Sequence, residues 1–269
     1  MPSAELPTSP APAPPLFTIR GLTKSFAGRR VLDGLSFEIL AGECFVILGR
    51  SGSGKSVTLR QLNGLDQPDA GSVMFDGTDI TALDEAGLFA VRRRIAMLFQ
   101  GGALFDSMTV HDNIAFPLRE HTGLNDEEIT ARVEEKLGLV HLPGIGPKMP
   151  SDLSGGMRKR AALARSLVME PEVLLYDEPT TGLDPITSAA IAHLIHDIHR
   201  HLGVTQVVIT HDLALARRVG DRLAYLSGGH FLFVGDWPAA DRCTEPEITA
   251  FLAGREWEEE DNRGPDPRP

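Results

Sequence analysis

Residues 43–56 read Glu-Cys-Phe-Val-Ile-Leu-Gly-Arg-Ser-Gly-Ser-Gly-Lys-Ser, and the fold class follows from them. Residues 43–48 read as a strand bounded by Gly42 and Gly49. The next eight residues, Gly49, Arg50, Ser51, Gly52, Ser53, Gly54, Lys55 and Ser56, fit the pattern G-x-x-x-x-G-K-[ST], and a helix is predicted over about 54–63. A strand that turns through glycines into a helix is the context in which this pattern forms a phosphate-binding loop. The glycines let backbone N–H groups turn inward around phosphate oxygens, and the helix N-terminus adds the positive end of its dipole. Lys55 supplies a point charge for the β- and γ-phosphates, and Ser56 offers a hydroxyl to Mg²⁺. The competing reading is a chance glycine-rich turn, which the flanking strand and helix disfavour.

Outward from the loop, residues 17–20 and 34–39 read as short strands separated by a glycine-containing turn, with further strands near 72–75 and 94–99. Residues 109–168 carry helical periodicity, with turns at Gly123 and between Pro143 and Pro150. Strand character returns at 172–176 and 204–209, in nearly continuous apolar or β-branched runs. Strands buried on both faces of a parallel sheet have this composition. A helix over about 187–202 lies between them, so 172–209 reads as a βαβ unit. Strands near 222–226 and 230–234, joined by Ser227-Gly228-Gly229, read as a hairpin. The sum is an α/β core interrupted by a helical insert.

Three further groups carry chemistry. The strand at 172–176 runs into Asp177-Glu178. Asp177 stands where a Walker B carboxylate holds Mg²⁺, and Glu178 can polarise an attacking water as general base. Alone, these would be two surface acids at a strand end; beside a phosphate-binding loop, the chemistry requires a carboxylate near the metal. His211 follows the strand 204–209 at the ligand edge of the sheet, where it can contact a γ-phosphate. Its position fits equally a helix-start residue beside Asp212 as N-cap. Leu153-Ser154-Gly155-Gly156-Met157, followed by Arg158, Lys159 and Arg160, reads as a helix N-terminus with exposed backbone donors and so as a second anion site. One phosphate loop and a second such terminus suggest a nucleotide shared between two chains.

Composition sets the bounds. A chain of 269 residues with 42% hydrophobic and 23% charged residues suits one large α/β domain or two small ones. The net charge of −11 argues against nucleic acid as the main partner. The two cysteines, Cys44 and Cys243, imply no disulfide framework and no metal spacing, and Cys44 in its apolar run reads as a buried thiol. The balance points to a reducing compartment. No run of about 18 apolar residues is present. The Pro- and Ala-rich residues 1–15 read as a disordered tail rather than a signal, as do the acidic residues 256–269, leaving 16–255 as the folded domain.

The set Gly49 to Ser56, Gln100, Leu153 to Met157, Asp177-Glu178, Gly182-Leu183-Asp184 and His211, in this order and spacing, resembles the nucleotide-binding subunit of ABC transporters, over residues from about 17 to 235. The resemblance implies a P-loop NTPase of ABC type: a RecA-like core, an antiparallel β subdomain and a helical signature subdomain at about 101–168. It implies a head-to-tail dimer with ATP and Mg²⁺ held between two copies. In such a dimer Ser154, Gly155 and Gly156 of one chain cap the nucleotide on the other's loop. It assigns Glu178, His211 and Gln100 to hydrolysis, with Gln100 sensing Mg²⁺ and the attacking water beside the metal-holding Ser56 and Asp177. Asp184 falls to contacts across the dimer, and Phe26 to the aromatic that stacks on adenine, where Tyr is commoner. The usual fifth signature residue, Gln, is replaced here by Met157.

Within that family, residues 97–123, the run 158–167 and Asp184-Pro185-Ile186-Thr187 look like the ATPase of MCE-type lipid transporters, the Mla phospholipid system in particular. That branch implies MlaE-like membrane permease subunits, an MCE-domain lipid-binding protein and a small cytoplasmic regulatory subunit as partners. It implies a peripheral place on the cytoplasmic face of the inner membrane, and phospholipid movement between inner and outer membranes. The alternatives are the ATPase of another importer, for example for amino acids, and a soluble non-transport ABC ATPase. Other features read plainly. Arg92-Arg93-Arg94 is a solvated helix end or strand start. His193, His196 and His199 lie on a solvated helix face rather than at a metal. The apolar residues Leu104, Phe105, Met108 and Phe116 of 103–118 read as half-buried core by pattern, and by resemblance lie near a groove for a permease helix.

Overall fold

Two sheets share the chain in the computed structural model, which describes residues 14–255. Residues 1–13 and 256–269, where most of the two expected tails fall, lie outside the described residues. The first sheet opens with a long antiparallel hairpin, β1 (Pro15–Phe26) and β2 (Arg29–Leu40), and continues through β4 (Ala70–Phe75) and β5 (Thr78–Asp79) in the order β2-β1-β4-β5. The structure corrects the sequence reading at the hairpin. The turn is Ala27-Gly28, and Gly21 and Gly34, with φ of +59° and +72°, sit inside two 12-residue strands. Register shifts flank Leu22, so these glycines mark irregularities of the ladder instead of the strands' ends. Pro15 already belongs to β1, one residue before the expected start of the domain.

The second sheet is built around β3 (Cys44–Leu48), which leads through the glycine loop into α1 (Lys55–Leu62). Its other strands are β6 (Ile95–Leu98), β7 (Val173–Asp177), β8 (Thr205–Thr210), β9 (Arg222–Ser227) and β10 (His230–Asp236), in the order β10-β9-β3-β8-β7-β6. Every pairing is parallel except that of β9 with β10. Strands β3, β7 and β8 are buried at each position. The alternation along β3 shows why: Cys44, Val46 and Leu48 join one core, and Phe45 and Ile47 the other. The sheet therefore separates two cores, one shared with the antiparallel sheet, α1 and α2 (Glu85–Arg94), the other with the remaining helices.

The expected helical insert is α3 (Val110–His121), α4 (Asp126–Leu139) and α5 (Gly155–Leu167). Each begins on a side-chain cap: Thr109, Asn125 with a full capping box to Glu128, and Ser154. The βαβ unit closes through α6 (Pro185–Leu202), capped by Asp184 at one end and by left-handed Gly203 at the other. Two helices escaped the sequence reading, α8 (Trp237–Asp241) and α9 (Pro246–Leu252), while α2 and α7 (Leu213–Val219) were marked at one end only, by Arg92 to Arg94 and by the Asp212 N-cap. All but α2 have seven residues or fewer, too short to show a period. No helix among the described residues is long and apolar enough to cross a membrane.

Candidate functional site

The carboxyl ends of β3, β6, β7 and β8 converge on one cleft. Its lining includes Gly52, Gly54, Lys55, Ser56, Gln100, Glu178, Thr181 and His211. The loop's path admits only glycine at its start. A Cβ on Gly49 would stand 2.4 Å from the Leu226 carbonyl oxygen. Gly54, at φ +105°, serves as N-cap of α1 and places no side chain over the helix end. The first amides of α1 are thus left for an anion, whereas a side chain occupies the N-caps of α2 to α8. Ser53 Oγ is buried in the same loop with no hydrogen-bond partner among the described residues, which fits a loop that takes a polar ligand.

Lys55 is buried, and its Nζ donates to the carbonyls of Gly49 (2.8 Å) and Arg50 (3.0 Å), 3.4 Å from Glu178 Oε1. Burial draws its pKa down, against the attraction of Glu178 and Asp177. Asp177 ends β7 and accepts from Ser56 Oγ at 3.0 Å. Burial raises the Asp177 pKa, and the Ser56 hydroxyl offsets this in part. A buried carboxylate accepting from a hydroxyl is a pair of hard oxygen donors, the ligand type that suits Mg²⁺. Ser56 and Asp177 therefore fit the metal the sequence assigned them; Gln100 lines the same cleft from the end of β6.

Glu178 has a left-handed backbone, φ +49°, and its N–H donates to the Ile209 carbonyl at 3.0 Å. Its carboxylate meets His211 Nδ1 at 2.9 Å and accepts from Thr181 Oγ1 at 3.2 Å and Thr210 Oγ1 at 3.5 Å. His211 itself is half exposed toward the cleft. Asp212 caps α7, so His211 stands at a helix start beside its N-cap and also lines the cleft. Thr181 and Thr210 were missed in the sequence. Their one signal was adjacency, Thr210 preceding His211 and Thr181 lying three residues after Glu178.

The remaining predicted residues lie elsewhere. Ser154, Gly155, Gly156 and Asp184 are not part of the cleft lining. They form a second group, in which a Cβ on Gly155 would lie 3.3 Å from Leu183 and one on Gly156 would lie 2.4 Å from Thr187. Ser154 and Gly155 are exposed there. Phe26 stands at the hairpin end, 44% exposed with Lys24 Nζ 5.4 Å from its ring centre. It does not line the cleft, although Val31 of the same hairpin does. On another face Phe105 and Phe116 are exposed and meet edge to face at 5.4 Å. An adjoining groove is lined by Phe89, Arg93, Met97, Pro117, His121 and Arg165. The three histidines of α6 form no cluster of ligands: His193 contacts Arg218, and His199 is tied to the Val204 carbonyl and Asp221.

Comparison with known proteins gives this geometry a family. Residues 32–181 match the ABC transporter family. The probable ribonucleotide transport ATP-binding protein mkl of Mycobacterium leprae is 46% identical over 88% of this chain and 68% of its own length. The intermembrane phospholipid transport system ATP-binding protein MlaF of Escherichia coli is 40% identical over 89% of each chain. Among solved structures, a dimeric ATP-binding cassette in a post-hydrolysis state bound to ADP and Pi superposes with a TM-score of 0.76 at 32% identity, covering 82% of this chain and 98% of that one.

Proposed function

The chain belongs to the ABC transporter family and is an ATP-hydrolysing subunit of it, and on that premise we propose that it powers the movement of phospholipid between two membranes. The observation that carries the lipid reading is the likeness to the phospholipid transport ATPase over 89% of both chains. The resemblance of residues 97–123 to that branch points the same way. Permease subunits and an MCE-domain protein are the partners this reading calls for, with the chain peripheral on the cytoplasmic face of the inner membrane. The exposed Phe105 and Phe116 and the groove beside them supply apolar anchors for a permease helix.

The loop amides and the uncapped end of α1 bind the phosphates. Lys55 leaves its carbonyl perch for the β- and γ-oxygens, where a point charge favours binding. Ser56 and Asp177 would hold Mg²⁺, which when bound neutralises phosphate charge. Glu178 takes the proton of the attacking water. His211, Thr181 and Thr210 fix its carboxylate, and Gln100 closes the cleft from β6. Phe26 offers a flat apolar ring to the adenine from the hairpin end. A single chain leaves the γ-phosphate side open, since Ser154, Gly155, Gly156 and Asp184 lie apart from the cleft. A second, head-to-tail copy would bring them onto it, a reading supported by the dimeric ADP- and Pi-bound relative.

The likeness to the probable ribonucleotide transport ATP-binding protein, 46% identical, favours a second reading, transport of a ribonucleotide or a similar solute. Affinity purification from native membranes, followed by partner identification and lipid extraction, separates the two. Phospholipid transport predicts a permease, an MCE-domain protein and enriched phospholipid. A solute-binding protein without either would refute it.

A further inference from the structure

Lys159 carries a charge that the proposed mechanism has not used. It lies one turn into α5, on the helix that begins with Ser154, and is only 7% exposed. Its Nζ donates to two carbonyl oxygens, Glu178 O at 3.3 Å and Thr181 O at 3.1 Å. These carbonyls bound a turn that Thr181 N closes onto Glu178 O at 3.2 Å. The turn begins at a glutamate with φ +49°, a conformation that a non-glycine residue keeps only when its surroundings impose it. Three bonds impose it here: the N–H on Ile209 O, and the carbonyl shared by Thr181 N and Lys159 Nζ. Among the described residues, the hydrogen bonds from the helical insert to this turn come from Lys159. A buried ammonium is costly unless hydrogen-bonded and paired, and the two carbonyls with the nearby charges of Asp177 and Glu178 meet that need.

We infer that Lys159 is a positioning residue for ATP hydrolysis: it fastens the backbone of Glu178 to α5, so the aim of the carboxylate depends on the helix whose first residues cap the nucleotide of a second copy. The contacts around the signature turn run the same way. Gly155 and Gly156 press against Leu183 and Thr187, just past the clamped turn. Movement of α5 when Ser154 engages a phosphate is thus passed to Glu178 of its own chain, with Lys159 as the hydrogen-bonded link. The inference rests on the reading of Glu178 as base.

The test compares Lys159→Met and Lys159→Arg with the wild type in full-length protein, measuring phosphate release, KM for ATP and thermal midpoint. Removing a charged donor from a buried carbonyl should cost kcat about tenfold or more. KM should stay within about twofold, because the phosphate loop is untouched, while the carbonyls left without a donor should lower the midpoint by a few degrees at most. The arginine variant, which keeps a charged donor, should recover most of the rate. If the methionine variant does not fold, Lys159→Gln takes its place with the same predicted split. A methionine or glutamine variant with wild-type kcat overturns the inference. So does a rate loss matched by weaker ATP binding or lower stability that arginine fails to rescue. Glu178→Gln serves as the separate control: if it hydrolyses ATP normally, the reading of the base fails, whatever Lys159 does.

Discussion

Glu178 is the residue on which the proposed hydrolysis turns, and its surroundings say how the carboxylate is held. Lys55, His211, Thr181 and Thr210 all approach its carboxylate, while its backbone is held in a left-handed turn. Glu178→Gln keeps the shape and removes the basicity. It should lower kcat by about 10²–10⁴ and leave ATP binding intact, as phosphate release and titration with a fluorescent nucleotide would show; unchanged turnover would remove Glu178 from the chemistry. Asp177, Glu178 and His211 could be found in the sequence because apolar strands end on them. The contacts of Thr181, Thr210 and Lys159 could not, beyond the adjacency of the two threonines. Their reach to Glu178 depends on a backbone turn at φ +49° that no residue pattern encodes.

At the scale of elements, local chemistry and tertiary contacts divide the stability. The α4 N-terminus is a complete capping box, with Asn125 Oδ1 accepting from Glu128 N and Glu128 Oε2 from Asn125 N. Asn125→Ala should cost about 1 kcal/mol, a lowering of the thermal midpoint by about 2–4 °C; a change within error would place the helix's stability wholly in its packing. The far end of α6 is held differently. His199 Nδ1 faces the Val204 carbonyl and Nε2 faces Asp221 Oδ2, each at 3.2 Å, and Asp221 also accepts from Cys44 N. The bond to Asp221 raises the His199 pKa, against the effect of burial. A raised folded-state value means that this stabilisation is complete below the unfolded value of about 6.5 and is lost as pH rises through the folded one. Asp221, held low chiefly by His199, contributes above the usual carboxylate value and loses its share in acid. The urea midpoint of the wild type should therefore decline as pH rises above about 6.5, with the decline flattened in His199→Gln. Equal slopes would exclude the pair as its cause. The helices of the insert and the buried strands could be read from period and composition. The hairpin could not, because Gly21 and Gly34 look like turn residues until the ladder around them is seen.

At the scale of the whole molecule, the two groups of site residues define the protein's central property. Each copy presents a phosphate cleft at one place and the Ser154 terminus at another. The motif spacing already suggested a shared nucleotide. Ser154 and Asp184 do not line that cleft in one chain, and the proposed function brings them to it from a second copy. The permease groove and the lipid assignment depend on partners, and so follow from relatives instead of from the residues alone. The decisive measurement is the mass in solution, by light scattering, of Glu178→Gln with saturating ATP and with ADP. A site completed by a second copy predicts a dimer with ATP, a monomer with ADP, and return to monomer when Ser154→Arg is added. A Glu178→Gln protein that stays monomeric in ATP, or whose dimer is indifferent to Ser154→Arg, would contradict it.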